Sequence, residues 1–129
     1  MAGGKATATS GTVLVDAVIR LTESLGLSHK KEVKSGRRIW GAGRRIDLVL
    51  THQPSRKVLG IECKVQKTPG SAEEKIPSTL KDIEFWPIPG IVVIDGQGFS
   101  SNMTGYLMST GRVVWFEDLE DWLKLFFVL

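Results

Sequence analysis

Arg44-Arg45-Ile46-Asp47-Leu48-Val49-Leu50, a turn through His52-Gln53-Pro54-Ser55, then Val58-Leu59-Gly60-Ile61-Glu62-Cys63-Lys64-Val65-Gln66: these two runs of β-forming residues joined by turn residues decide the fold. Apart from Asp47, the first run past its arginines is apolar, which predicts an aspartate held on a rigid, half-buried strand. Alternation along the second run places Glu62, Lys64 and Gln66 on one side and Ile61, Cys63 and Val65 on the other. The expectation is a hairpin that gathers two acids, a lysine and a glutamine on one face. An ordinary cross-strand salt bridge on a solvated sheet face is the alternative reading of the same residues.

Outward from the hairpin, charge is unevenly placed. Residues 30–45 carry Lys30, Lys31, Lys34, Arg37, Arg38, Arg44 and Arg45 against the single acid Glu32, although the whole chain has a net charge of only +3 and a pI of about 9.2. Residues 112–129 reverse the balance, with Glu117, Asp118, Glu120 and Asp121 against Arg112 and Lys124. A basic strip beside an acid–lysine hairpin points to a polyanionic partner, while a solvated charged loop explains the strip alone.

A chain of 129 residues fits one domain with a sizeable core. Residues 1–10 are small and polar and read as a disordered tail, leaving 11–129 as the folded domain. Cys63 stands alone, which rules out an intrachain disulfide, and there is no Cys/His cluster of zinc spacing. No apolar run has signal-peptide or membrane-spanning character, so a cytoplasmic setting without membrane attachment is expected. The Gly-x-Gly of residues 96–98 lacks the rest of any phosphate-binding fingerprint, so no nucleotide cofactor is expected.

A helix is predicted over 10–26, with Leu14, Ala17, Val18, Leu21 and Leu25 as its apolar stripe, Asp16, Arg20 and Glu23 opposite, and Gly26 as its stop. Residues 31–40 suggest a short strand with a bulge near Gly36. After the hairpin, Ser71 and Glu74 form a capping box, and Pro77 predicts a short first turn, then a break, then helix to about Trp86. Residues 90–96 read as a strand covered on both faces, 102–109 as a short helix, 112–116 as a last strand and 118–127 as a last helix striped by Leu119, Trp122, Leu123 and Phe126. Early strands form antiparallel hairpins, and later ones reached through helices run parallel. The fold class is therefore α/β, a mixed sheet of about five strands flanked by helices.

In these residues the chain resembles the PD-(D/E)xK nuclease superfamily, with its restriction-endonuclease-like αβββαβ core. The match is Ile46-Asp47, then residues 48–61, then Glu62-Cys63-Lys64, together with the order of elements over about 11–117. The resemblance implies a metal-dependent DNA endonuclease of restriction, homing or repair type that hydrolyses phosphodiester bonds. It implies Mg²⁺, with Mn²⁺ as a substitute, held by Asp47, Glu62 and the backbone carbonyl of Cys63. Lys64 would assist the attacking water and the phosphate charge, and Gln66 would orient one of them. Lys34, Arg37, Arg38, Arg44 and Arg45 would hold DNA. Many members add a glutamate on the first helix. Here Val15 occupies that position with Asp16 one place off, and neither Asp16 nor Glu23 is an assured helper. One such domain carries one active site, so cutting both strands implies a homodimer or higher homo-oligomer, for which the largely apolar residues 123–129 are the candidate interface. The alternatives are a catalytically quiet DNA-binding accessory module on the same fold and, more weakly, a hydrolase acting on a smaller phosphate.

Overall fold

The computed structural model describes residues 11–37, 43–68, 70 and 73–129. The expected tail at 1–10, the end of the expected strand at 38–40 with Arg38, and the Ser71 cap lie outside the described residues.

Helix α1 (Gly11–Ser24) precedes three strands, β1 (Ser28–Arg37), β2 (Gly43–His52) and β3 (Lys57–Gln66). A 3-10 turn (Glu73–Lys75) leads into α2 (Ile76–Ile83), followed by β4 (Gly90–Gly96), α3 (Ser101–Ser109), β5 (Val113–Trp115), a second 3-10 turn (Phe116–Asp118) and α4 (Leu119–Phe127). The sheet has five strands in the order β1-β2-β3-β4-β5. Pairing is antiparallel from β1 through β3 and parallel from β3 through β5, as the connections require.

Two apolar layers sandwich the sheet. One joins Leu14 and Val18 of α1 and Leu119, Leu123 and Phe127 of α4 to Leu48, Leu50, Ile61, Ile91 and Val93. The other joins Ile76, Leu80, Ile83 and Trp86 to Ile46, Val92, Ile94, Leu107 and Val113. Strand β4 thus sends alternate residues of its apolar stretch Ile91–Ile94 into both layers, which explains why that stretch is apolar on both faces.

Several boundaries differ from the sequence reading for local reasons. Pro77 starts α2 rather than kinking it, because a missing amide is harmless in the first helical turn. Trp86 lies beyond the helix end, where its ring covers a seat made by two glycines paired across β3 and β4. A β-carbon would lie 2.6 Å from the ring at Gly60 and 2.5 Å at Gly90. Thr22 replaces Leu21 as a fully buried position of α1, its hydroxyl donating to the Ile19 carbonyl. In α4, Trp122 is half-buried and stacked on Phe126, while Phe127 takes the core position. The hairpin turn is tighter than its residues suggested. Arg56, at φ 62°, donates its amide to His52, and the His52 ring packs at 6.2 Å from Phe127.

Candidate active site

The centre of the molecule is a fork between β2 and β3. Their ladder runs from the His52–Lys57 pair to Leu48–Ile61 and ends one step before Asp47 would face Glu62. Beyond that point side chains replace backbone partners. The Asp47 amide donates to Glu62 Oε1 at 3.2 Å, and the Cys63 amide donates to Asp47 Oδ2 at 3.0 Å. Each carboxylate therefore satisfies a backbone donor that the parting strands would otherwise orphan.

Strand β2 also turns over at this point. Ile46 enters the layer under α2 while Leu48, two residues on, enters the layer under α1, whereas a flat strand would send both the same way. On the neighbouring β1, Glu32 lies between the paired Lys31 and Val33 with a left-handed φ of 52°. Asp47 is flanked on both sides by backbone that departs from regular pleating.

This geometry corrects the expectation of one shared face. Glu62 and Lys64 open on the α2 side into a cleft of about 730 Å³ lined by Arg37, Arg44 and Arg45. Asp47 lies in the fork and opens on the α1 side into a smaller cavity of about 430 Å³, with Thr12, Val15, Lys31, Glu32 and Cys63. The twist at Asp47 separates the openings, and the two hydrogen bonds across the fork keep the carboxylates adjacent.

Gln66 departs further from its expected place. It shares parity with Lys64 but is fully buried, its Nε2 donating to the Gln97 carbonyl at 3.3 Å while the Gln97 amide returns a bond to the Gln66 carbonyl. It ties the loop after β4 to the end of β3 and is not exposed beside the lysine. Cys63 sends its side chain into the α1 layer, where burial foremost, then the neighbouring acids, push the thiol well above its ordinary range. Its backbone faces the fork, since the amide reaches Asp47, and in an extended strand a residue's carbonyl points to the same edge as its amide. The first helix supplies no acid to the site. Asp16 is 3.9 Å from Lys31 in a half-exposed ion pair, Glu23 is exposed, and Val15 faces the Asp47 cavity.

Burial, then the charge of Asp47, lift the Glu62 carboxyl from 4.5 to about 7, against the smaller opposing pull of the Asp47 amide and Lys64. A carboxyl whose pKa is higher folded than unfolded favours folding below pH 4.5, and that contribution is lost as pH rises to about 7. Metal-free protein is expected to lose on the order of 2 kcal/mol of stability across that window. Glu62→Gln keeps an oxygen for the Asp47 amide and removes the charge, so denaturant melts of the variant should show this loss abolished. An unchanged pH profile would refute the assignment.

Of the expected DNA contacts, Arg37, Arg44 and Arg45 line the cleft, and Lys34 is exposed outside it. Arg44 is already engaged, its Nε 2.8 Å from Asp82 Oδ1 and its guanidinium 5.4 Å from the Phe85 ring centre. The opposite wall was missed from sequence: Ser78, Thr79, Lys81, Asp82 and Phe85. A signal existed. Ser78, Lys81, Asp82 and Phe85 recur at i, i+3, i+4 and i+7, a polar stripe interrupted by an aromatic, opposite the buried Ile76, Leu80 and Ile83.

Two acids thus close the gap between parted strands, with a lysine two residues beyond the second, in a five-stranded α/β sheet. The family model of the PD-(D/E)XK nuclease superfamily domain matches residues 6–115, and the chain belongs to that superfamily. Membership suggests nuclease activity, and nucleases of this superfamily generally use divalent metals. Two solved structures share the fold. A protein of unknown function, AF1548, is 20% identical with a TM-score of 0.54, over 78% of this chain and 54% of its own. Protein VC1899 from Vibrio cholerae is 13% identical with a TM-score of 0.51, over 86% of this chain and 30% of its own. The chain thus spans about half of the first and under a third of the second. No curated protein matches it.

Proposed function

We propose that this protein is a Mg²⁺-dependent DNA endonuclease that hydrolyses phosphodiester bonds at the β2–β3 fork. The observation that carries the reading is the direct pairing of Asp47 and Glu62 across the parted strands, with Lys64 beside them in a cleft bordered by arginines.

A hard divalent cation suits this donor set. Two adjacent carboxylates, one held neutral up to about pH 7 by burial and then by the charge of the other, gain from a cation between them. Asp47, Glu62 and the fork-facing carbonyl of Cys63 would hold it, an all-oxygen set that leaves room for water. Bound there, the ion supplies Lewis-acid polarisation of a phosphate oxygen and a more acidic water. Lys64 orients the attacking water and stabilises charge growing on the phosphate. Arg37 and Arg45, with Lys34 outside the cleft, hold the DNA backbone, and Arg44 stays tied to Asp82 and shapes the wall. Gln66 anchors the end of β3 and so fixes the position of Lys64. Cutting both strands calls for two copies, and the exposed Leu125 and Val128 offer them an apolar contact. No described helix is long and apolar enough to cross a membrane.

The test is incubation with Mg²⁺ of supercoiled, linear, branched and single-stranded DNA, using wild type and Lys64→Ala. Wild type is expected to cut, and the variant to fall by roughly 10²-fold or more with its fold intact. Salt-dependent binding without cutting would replace this reading with an accessory DNA-binding module. Neither cutting nor binding would end it.

A further inference from the structure

Phe85 is 67% exposed at the rim of the cleft that holds Glu62 and Lys64. An exposed aromatic ring is out of place in a wall otherwise built from charged side chains and hydroxyls, because it gains nothing from water and nothing from a phosphate backbone. Its position is also fixed. Arg44 bridges from β2 to Asp82 on α2 through a largely buried ion pair, and that same guanidinium lies 5.4 Å from the ring centre. The packed side of Phe85 is thus a cation held in place by an acid, and much of its remaining surface faces solvent beside the site.

Resting on the nuclease reading of this site, we infer that Phe85, backed by Arg44, is a stacking platform for one unpaired base of the substrate, so that the protein favours DNA with unstacked nucleotides beside the cut. Only a base offers a flat π face within reach of a backbone held by cationic side chains, and stacking of this kind tolerates any sequence. In continuous duplex each base is already stacked on its neighbours, so the ring would have no partner there. A frayed end, a flap, a branch point or a single strand supplies one. Asp82 is then a positioning residue, acting on the platform through Arg44.

The test uses oligonucleotides carrying the fluorescent base 2-aminopurine, either in a single strand or in a blunt duplex, with chelator present so that nothing is cut. Single-strand binding by wild type should quench the fluorescence. Phe85→Ala should weaken that binding about tenfold or more and lose the quench, Phe85→Trp should keep both, and blunt-duplex binding should change less than twofold. Asp82→Asn should weaken single-strand binding in the same direction as Phe85→Ala. Equal losses on both DNAs, or no loss with Phe85→Ala, would overturn the platform. Metal-dependent cutting of plasmid DNA by wild type and Phe85→Ala separates the two ideas. If both cut while the fluorescence results are negative, the platform fails and the nuclease reading stands. If neither cuts and wild type binds no DNA, both fail.

Discussion

Asp47→Asn is expected to lower Mg²⁺-dependent DNA cleavage by about 10³-fold, equivalent to about 4 kcal/mol of transition-state stabilisation, while leaving the fold almost untouched. The two halves of that expectation have separate physical causes. Structurally, Asp47 is a hydrogen-bond acceptor for the Cys63 amide, and an asparagine oxygen can accept the same bond. Chemically, Asp47 is the charge whose repulsion, after burial, keeps the Glu62 carboxyl protonated up to about pH 7. Removing it should weaken the hold on the proposed cation and let Glu62 ionise at lower pH. Initial rates of plasmid nicking and a thermal melt on the same preparation check both halves. A variant that cuts at the wild-type rate would remove Asp47 from the chemistry, and one that unfolds would make it a structural residue.

The second large effect is on stability, at Gly96→Ala. Gly96 has φ 125°, in a region that side chains rarely adopt, and it pairs with Gln66 at the end of the parallel β3–β4 ladder. A β-carbon there would overlap the Gln66 carbonyl oxygen and lie 2.7 Å from its nitrogen. Both are backbone atoms, so no rotamer change relieves the clash. We expect a loss of about 3 kcal/mol or more, a drop in Tm of roughly 10 °C or greater. Activity should fall as well, since Gln66 lies two residues beyond Lys64 on β3. Gly105→Ala makes the contrast within one protein. Gly105 lies in α3 with open space where a β-carbon would sit, so alanine there should be neutral or stabilise by up to about 1 kcal/mol.

What could be read from residues alone was what local periodicity encodes. The run 90–96, with its apolar residues 91–94 and a glycine at each end, became β4 at those bounds. The Asp47, Glu62 and Lys64 spacing led to the family, and the order of elements led to antiparallel and then parallel pairing. What escaped depends on contacts distant in sequence. Strand alternation placed Gln66 beside Lys64, but burial of that end of β3 by the loop at Gln97 turned it into an internal tie. Alternation also assumed a flat β2, whereas the parted ladder at Asp47 twists the strand and sends the two acids to different openings. The Arg44–Asp82 bridge spans 38 positions, and no period within one element could reveal that this arginine belongs to the wall of the cleft.

We propose that the parted strands form a divalent-cation site between Asp47 and Glu62. Calorimetric titration of metal-free protein with Mg²⁺ at pH 8, with Asp47→Asn titrated alongside, tests for that site. Wild type is expected to show saturable heat and a rise in Tm with Mg²⁺, both lost in Asp47→Asn. Absence of binding by folded wild type, or equal binding by the variant, would contradict it.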